Sequence, residues 1–326
     1  MKTTLLAPAI LLPALAFALA AMHLALASPL LAQPTVSGES WQTLEYGDLT
    51  VTAFSDRTGT MPYSIFFDIS AEDFAALAKA GGSPSEGELA SWINFFLVEK
   101  GDRVFLVDTG VGAGPGIVPL LRAAGREPGT VTDILITHFH GDHIGGLLDK
   151  DGGTAFPAAT LHTPRRDEEY FIPADGTDVP GTELARKVTL PYRDAGRYQA
   201  FEPGGRMATG VKSSSLWGHT PGHTGFLFES SRGPFLAWGD IVHAYLVQFA
   251  RPEVTLSYDV DRPAAAETRR RVFNEAADTG YLVAGAHLPF PGVGQVTRQD
   301  GAFSWIPFHP AGAAGGGGAS GGAPVE

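Results

Sequence analysis

The sequence contains no cysteine among its 326 residues. This absence excludes cysteine nucleophiles and thiolate metal sites, so any bound metal must be held by nitrogen and oxygen ligands. It also leaves the chain without disulfides. A protein of this length does not need them, because it can bury a core large enough to stabilise its fold.

An excess of positive charge is also lacking. The formal net charge is −12, and the short basic run Arg269–Arg271 is typical of the solvated face of a helix. Phosphate binding requires a basic face, so nucleic acid is excluded as the expected partner. A composition with 44% hydrophobic and 18% charged residues predicts a soluble globular protein.

Two catalytic signatures are missing from the sequence as well. No G-x-G-x-x-G follows a predicted strand, which argues against a Rossmann dinucleotide site. Outside the Gly/Ala-rich last residues, 311–326, no G-x-S-x-G is present either, so the serine elbow of the α/β-hydrolases, which joins a strand to a helix, is absent. Beyond the start of the chain, no apolar run approaches the roughly 20 residues that a spanning helix requires.

The start of the chain predicts export. Lys2 precedes an almost uninterrupted Leu/Ala stretch that ends in Ala25-Leu26-Ala27, a small-x-small cleavage signal. We expect residues 1–27 to be a cleaved signal peptide, with cleavage after Ala32 as the second candidate. The protein is then periplasmic or secreted, without a stable membrane span after processing.

A retained membrane anchor is the alternative for this segment. Pro8 and Pro13 interrupt the apolar stretch, which favours cleavage. The remaining chain is divided into an N-terminal extension (28–43), one domain (44–310) and a disordered Gly/Ala-rich tail (311–326).

Short apolar segments alternate with helical patterns, which predicts an α/β layered fold. The predicted strands are 49–54, 92–98, 104–107, 134–136, 160–162, 211–216, 226–228, 235–237 and 281–286. The predicted helices are 117–124 and 262–278, with a further turn entering a helix at 141–148. Polar residues follow the ends of several strands, where a rigid scaffold presents functional groups on loops.

Three histidines and an aspartate follow the predicted strand 134–136 directly: His138, His140, Asp142 and His143. On an extended backbone the first two side chains point the same way, and Gly141 permits a turn that brings the other two to the same cavity. Burying four such groups beside an apolar strand costs several kcal/mol unless they have a partner. The cluster therefore predicts a metal site.

Three later segments each contribute a potential ligand. His219 and His223 lie in the loop G-H-T-P-G-H, while Asp240 and His287 each end an apolar strand. Singly, each residue is typical of a turn, a helix cap or a hydrogen-bonded core histidine. Counting one histidine of the loop, they and the cluster provide five histidines and two aspartates, enough for two metal ions that share a carboxylate.

The H-x-H-x-D-H motif and the later residues resemble the metallo-β-lactamase superfamily. Within it, four segments resemble the methyl parathion hydrolase-like branch of lactonases, arylesterases and organophosphate hydrolases: 107–110, 136–146, 219–224 and 286–292. The resemblance covers about residues 44–307. It implies a four-layer αββα sandwich with two divalent metal ions, zinc by default, at one edge between the two sheets.

The resemblance also implies a role for each candidate. One ion is assigned His138, His140 and His223, the other Asp142, His143 and His287, and Asp240 bridges them. Asp108 resembles an aspartate that supports the site from behind, and His219 is interpreted as a hydrogen-bonding residue of its loop rather than a ligand.

A dinuclear site of this kind predicts hydrolysis by a hydroxide that both ions share, because metal binding lowers the pKa of water to about 7. Asp142, Asp240 and His243 are the candidate catalytic residues. His243 follows the bridging aspartate by three residues and is expected beside the metals, with a surface loop histidine as the alternative. Candidate pocket residues are Phe67, Tyr170, Phe171, His243 and Tyr258, and the additional aromatics Phe66 and Phe249 are expected either there or in the core.

Phosphotriesterases of the branch tend to have an aliphatic residue at the position of His243. The sequence therefore favours a lactonase or arylesterase acting on a small ester or lactone, with phosphotriester hydrolysis as a side activity. A dedicated organophosphate hydrolase is the main alternative. A β-lactamase is disfavoured by the bridging Asp240, and a non-catalytic metal-binding protein remains open. The sequence leaves open whether the protein forms a homodimer.

Overall fold

The protein is described here from a computed structural model. The residues it describes are 36–308, apart from 39, 84, 86, 113–115 and 208. The predicted signal peptide, both cleavage positions and the predicted tail lie outside these residues. Within the described part of the chain, no helix is both long enough and apolar enough to cross a membrane.

The elements follow one another along the chain as short strands interrupted by helices. The strands are β1 (Val36–Gly38), β2 (Trp41–Tyr46), β3 (Leu49–Pro62), β4 (Phe66–Phe67), β5 (Glu88–Lys100), β6 (Arg103–Val107), β7 (Asp133–Leu135), β8 (Thr160–Pro164), β9 (Tyr198–Phe201), β10 (Lys212–Ser215), β11 (Thr224–Phe228), β12 (Phe235–Ala237), β13 (Thr255–Leu256), β14 (Leu282–Ala284), β15 (Val293–Gln299) and β16 (Ala302–Pro307). The helices are α1 (Ala71–Ala80), α2 (Val118–Ala123), α3 (Gly141–Ile144), α4 (Arg165–Phe171), α5 (Thr182–Asp194), α6 (Tyr245–Gln248) and α7 (Arg262–Thr279).

The first sheet has the order β1-β2-β3-β5-β6-β7-β8-β9 and separates two apolar cores. Because side chains alternate along a strand, β5 serves both cores. Phe95 and Leu97 pack with α2 and α5 on the outer face. Phe96 and Val98 pack against the second sheet on the inner face.

The second sheet has the order β10-β11-β12-β14-β15-β16 and repeats this arrangement. Ala237 and Ala284 face the core between the sheets. Leu236 and Val283 pack outward against Phe273 of α7. The layers are thus helix, sheet, sheet and helix, which confirms the α/β four-layer αββα fold.

Parallel pairing brings the chemically important loops together. β6, β7 and β8 are parallel neighbours in the first sheet, and β12 and β14 are parallel neighbours in the second. The carboxyl ends of parallel strands meet at one edge of a sheet, where ligands of α/β folds bind. The loops that begin at residues 108, 136, 238 and 285 therefore open at neighbouring edges.

The structure differs from the expected boundaries in one place. β2 pairs along its whole length with β3, and Trp41 packs against the outer core of the first sheet. A limit at residue 44 would cut through this strand, so the first sheet extends into the segment interpreted as an N-terminal extension. The predicted strands and both predicted helices are present, with ends shifted by a few residues and the first strand continuing to Pro62.

Candidate metal centre

Asp240 lies at the centre of the convergent side chains. Its Oδ2 is 3.1 Å from Nε2 of His287 and 3.3 Å from Nε2 of His219, and its Oδ1 is 3.2 Å from Nε2 of His143. The preceding Gly239 has φ +58°, and a Cβ there would come within 2.6 Å of Nε2 of His223. Glycine therefore permits the sharp turn that carries the carboxylate from β12 into the site.

Ligand atoms within 4.8 Å of one another form a first group. It consists of His138, His140, His219 and Asp240. His138 follows β7 directly and is fully buried. His140 precedes α3, and its Nδ1 lies 2.9 Å from Nε2 of His219. Three imidazoles and a carboxylate at these separations are a suitable set for one divalent ion.

A second group contains Asp142, His143 and His287. Asp142 and His143 come from the single turn α3, and His287 follows β14. Nε2 of His287 lies 3.4 Å from Asp142 and 3.1 Å from Asp240. Asp240 is therefore shared by both groups, as a bridging ligand would be.

Outer hydrogen-bond partners orient the imidazoles. Asp108 accepts a hydrogen bond from Nδ1 of His143 at 2.8 Å and also binds the backbone N–H and hydroxyl of Thr137. Nδ1 of His287 donates to the carbonyl oxygen of Trp92 at 2.6 Å. Such partners fix the ring and leave the opposite nitrogen free for a metal.

The two histidines of the G-H-T-P-G-H loop exchange the roles expected from the sequence. His223 was assigned as a ligand, but its Nδ1 donates to the carbonyl of Leu216 and its Nε2 accepts the backbone N–H of Asp240, so both nitrogens are occupied. His219 instead directs Nε2 into the first group, while its Nδ1 donates to Asp259 at 2.8 Å. The structure therefore places His219 in the position expected for His223.

Sequence reasoning missed three buried residues that support these loops. Both carboxylate oxygens of Asp167 accept hydrogen bonds, from N–H of Phe139 and from Thr220 and N–H of Gly222. Asp167 thereby ties the H-x-H loop to the G-H-T-P-G-H loop. Asp259 and Arg269 are the other two, and no local motif marks any of the three.

Arg269 holds the segment behind His219. Its guanidinium donates to the carbonyl oxygens of Ile241, Pro252 and Val254 and lies 4.0 Å from Asp259. Fully buried charges are stable only when they are paired and hydrogen-bonded, and here both conditions hold. Asp259 is thus fixed between Arg269 and His219.

The donor set fits two divalent metal ions. Nε2 of His143 and Oδ1 of Asp240 are buried, yet neither has a hydrogen-bond partner of acceptable geometry among the described residues. Buried polar atoms are normally paired, so these two neighbouring atoms are available to bind an additional group such as a metal ion. Nitrogen and oxygen ligands without thiolate suit zinc and other first-row divalent ions.

The charge states of the imidazoles differ across the metal-free site. Burial lowers the pKa of His140 and of His223 to about 3, so both are neutral and able to act as electron-pair donors. Burial alone also lowers the pKa of His219, but hydrogen bonds to Asp240 and Asp259 outweigh it and raise the pKa to about 9. A metal ion must therefore displace a proton from His219.

A cavity of about 670 Å³ opens above these groups. Its floor is formed by the convergent polar side chains, which are His140, Asp142, Asp240, His243 and His287. Of the five predicted pocket residues, Tyr170, Phe171, His243 and Tyr258 line it. Phe67 is not among the described lining residues; its ring is instead covered by the guanidinium of Arg262 at 4.1 Å.

The two additional aromatics belong to the core. Phe66 packs on Phe74 with ring centres 5.1 Å apart, and Phe249 stacks on Phe273 at 4.7 Å. His243 is more closely tied to the centre: its Nε2 is 3.1 Å from Asp240 and its ring stacks on His287 at 4.7 Å. Its Nδ1 has no hydrogen-bond partner among the described residues.

The model of the metallo-beta-lactamase superfamily matches residues 93–287, which contain both ligand groups. The match covers more than half of the chain. This protein belongs to the metallo-beta-lactamase superfamily.

Individual relatives are similar over part or most of the chain. YobT of Bacillus subtilis, an uncharacterized protein, is 30% identical over 149 residues, which are 44% of this chain and 60% of that protein. A hydroxyacylglutathione hydrolase of Rhodopseudomonas palustris is 30% identical over 155 residues, 46% of this chain and 52% of that enzyme. The chain thus spans about half to three-fifths of the length of these curated relatives.

Solved structures extend the similarity over most of the chain. The hydrolase AbOPH of the beta-lactamase superfamily is 32% identical, with a TM-score of 0.79 over 84% of this chain and 99% of that one. AidC, a dizinc quorum-quenching lactonase, is 24% identical, with a TM-score of 0.73 over 83% of this chain and 98% of that one. At 24% identity, the similarity to AidC shows a shared fold and nothing more.

Proposed function

We propose that this protein is a dinuclear metal-dependent hydrolase of lactones or aryl esters. The observation that carries the proposal is the shared carboxylate: Asp240 lies within 3.3 Å of imidazole nitrogens of both ligand groups, at the floor of a cavity of about 670 Å³. A bridging carboxylate below a cavity of this size suits a small carbonyl substrate.

Two divalent ions held there would lower the pKa of water and polarise a carbonyl oxygen. His138, His140 and His219 would hold one ion, Asp142, His143 and His287 the other, and Asp240 both. Zinc is the ion we propose, and the dizinc site named for the structural neighbour AidC supports that choice.

The protein's own contribution is positioning and proton handling. Trp92, Asp108 and Asp259 fix the rings of His287, His143 and His219 through the hydrogen bonds described above. His243 is buried beside Asp240, and burial lowers its pKa to about 4. A neutral imidazole at this place can hydrogen-bond the oxygen of an ester or lactone as negative charge develops on it.

The substrate class is supported by two neighbours in fold. AidC was solved with a product, N-hexanoyl-L-homoserine, and AbOPH is named a hydrolase. The cavity adds an apolar wall of Ile93, Phe139 and Phe171 suited to an acyl or aryl group.

A panel of four substrates tests the proposal with metal-loaded and chelator-treated protein: a chromogenic aryl ester, a lactone, an aryl phosphotriester and a cephalosporin. We expect turnover of the ester and the lactone, loss of it with the chelator, and recovery with zinc. Turnover of only the phosphotriester would indicate a dedicated organophosphate hydrolase, and of only the cephalosporin a β-lactamase. No turnover by protein that holds two ions would indicate a non-catalytic metal-binding protein.

We also propose a periplasmic or secreted location. The support is the uncharged Leu/Ala stretch ending at Ala27, which is a sequence feature. Mass spectrometry of protein from a bacterial host with a periplasm should find Ser28 or, less abundantly, Gln33 at the N-terminus. An intact Met1 in the soluble fraction would contradict this proposal.

A further inference from the structure

The charge on the cavity wall is distributed unevenly. Beyond the floor, Arg57 is the charged side chain among the described residues that line the cavity. The remaining wall is apolar or carries hydroxyl groups, as at Thr60, Ser91 and Ser257. A single cation in an otherwise uncharged wall can select for one kind of substrate group.

A β-bulge places Arg57 there. In the pairing of β3 with β5, Ser55 lies opposite Asn94 and Arg57 opposite Ile93, so Asp56 is an extra residue in β3. Bulges next to active sites redirect side chains. Asp56 accepts a hydrogen bond from N–H of Val111 at 2.8 Å, on the side of the 108–111 loop, and Arg57 joins Ile93 in the cavity wall.

The same segment of β5 is fastened to the metal centre. Trp92 accepts the hydrogen bond from His287, and N–H of Asn94 donates to the carbonyl of Ala286. Ile93 lies between these two anchors, and Arg57 is its direct neighbour across the sheet. The backbone of Arg57 is therefore fixed relative to the ligands, and its exposed side chain lies at the cavity wall.

The guanidinium of Arg57 makes no ion pair within 4.0 Å and no hydrogen bond with the residues that the structure describes. Its planar fork of donors matches a carboxylate in two-point geometry. The chain carries a formal net charge of −12, which repels anions at long range. An anionic substrate would consequently depend on a local cation such as this one.

We propose that Arg57 binds a carboxylate of the substrate, so that the preferred esters or lactones carry an acid group remote from the scissile carbonyl. This inference rests on the proposed function and specifies its substrate class. The substrate carboxylate contacts Arg57 in the cavity wall, and the scissile carbonyl lies at the cavity floor.

A structural role of Arg57 would have a different signature. Burial raises the pKa of Asp56, the N–H of Val111 and the positive charge of Arg57 offset only part of this rise, and the nearby Asp142 adds to it. If Arg57 only balanced these carboxylates, its loss would weaken the site for every substrate to the same extent. The decisive quantity is therefore the ratio of the KM values for an anionic and a matched neutral substrate.

The kinetic test uses two 4-nitrophenyl esters of adipic acid, one with a free carboxylate and one with that carboxylate methylated. We expect wild-type protein to have a KM about tenfold lower for the anionic ester, the size of one charge-assisted hydrogen-bond pair. Arg57→Gln should abolish this preference, and Arg57→Lys should retain part of it. Arg122→Gln is the matched control, because it removes the same charge from an exposed pair with Glu127 and should keep the preference.

A binding test does not depend on turnover. The corresponding 4-nitrophenyl amides, with and without the methyl group, are titrated calorimetrically into metal-loaded wild type and Arg57→Gln. Tighter binding of the anionic amide by wild type alone supports the inference even if neither ester is hydrolysed, which would refute only the proposed function. Equal binding of both amides by wild type, or an anion preference that persists in Arg57→Gln, overturns the inference.

Discussion

The floor of the cavity and its wall are built in different ways. The floor side chains Asp240, His243 and His287 are buried, and both imidazoles lie within hydrogen-bond distance of Asp240. The wall is contributed by the β3–β5 pair, by the end of helix α4 at Tyr170 and Phe171, and by loops near residues 180 and 258, where Tyr258 is 49% exposed.

The difference indicates that catalysis and substrate specificity depend on different residues of the cavity. Floor residues follow strands of both sheets. Asp108, Asp167 and Asp259 also hydrogen-bond to their rings or loops, so several contacts fix the position of each floor residue. Wall residues have few such partners. We therefore expect changes in the floor to affect every substrate and changes in the wall to affect particular substrates.

The largest effect is expected at Asp240, because it contacts both ligand groups. Asp240→Ala should lower kcat/KM by about 10³-fold or more, since several kcal/mol of charge stabilisation are lost. Metal analysis and steady-state kinetics on the same preparation measure it. Asp151→Ala, in an exposed carboxylate paired with Lys150, is the control. Full activity of Asp240→Ala would refute the dinuclear centre.

A second effect concerns the metal-free floor. The pKa of His219 is raised from its usual 6.5 to about 9, despite burial, by its two carboxylate partners. A raised pKa adds stability that is complete below pH 6.5 and is lost as the pH rises towards 9. The free energy of unfolding of chelator-treated protein should thus fall by up to about 3 kcal/mol across this window.

Urea denaturation at pH 6.5 and pH 9 measures this change. Zinc-loaded protein should show a smaller decrease, because the ion rather than a proton occupies Nε2 of His219. His143 and His287 also have raised pKa values, since the nearby carboxylates, Asp240 first, outweigh burial, and they add to the change in the same direction. A metal-free protein that gains stability between these pH values would contradict the charge distribution described for the floor.

The two loop histidines provide a matched pair for the third effect. His219→Ala should reduce the metal content from about two ions per chain to about one, and lower activity beyond the ~10–100-fold that loss of an outer partner costs. His223→Ala should keep both ions and instead lower stability by about 1–3 kcal/mol, because N–H of Asp240 and the carbonyl of Leu216 lose their partner. The reverse pattern would restore the ligand assignment made from the sequence.

The sequence predicts the floor better than the wall, for a physical reason. His138, His140, Asp142 and His143 lie within six residues, so alternation along an extended backbone and one turn determine where they point. The roles of His219 and His223 could not be separated in this way. Which ring turns inward depends on Asp259, 40 residues further along the chain.

In the fold too, local patterns could be predicted from the sequence and features that depend on distant residues could not. Alternation in β5 acts locally, and so do the caps of α7, Asp261 and Gly280. Helix α5 was not predicted, because Pro191 interrupts its pattern and lacks an N–H to donate. The position of Arg57 follows from a bulge in a strand pair, and a bulge leaves no signature in the residues on either side.

His243 lies where floor and wall meet, and its effect should be the smallest. It is buried beside Asp240, and the ring of the wall residue Tyr258 is 6.3 Å away. In a lactone or ester the reacting carbon is flat and becomes tetrahedral, so a hydrogen bond from this ring is strengthened during the reaction. A phosphotriester is already tetrahedral and carries bulky alkoxy groups, which the ring would crowd.

His243→Leu should therefore lower kcat/KM for lactones about tenfold and raise it for aryl phosphotriesters by a similar factor, which corresponds to one hydrogen bond lost and steric relief gained. Kinetics with both substrates, on variant protein shown to retain two ions per chain, measure the two changes. A parallel fall in both activities would mean that His243 supports the metal centre and belongs to the floor alone. No change in either kcat/KM value would place His243 outside the substrate-binding part of the cavity. Only opposite changes for the two substrate classes would show that His243 affects both the reaction and the choice of substrate.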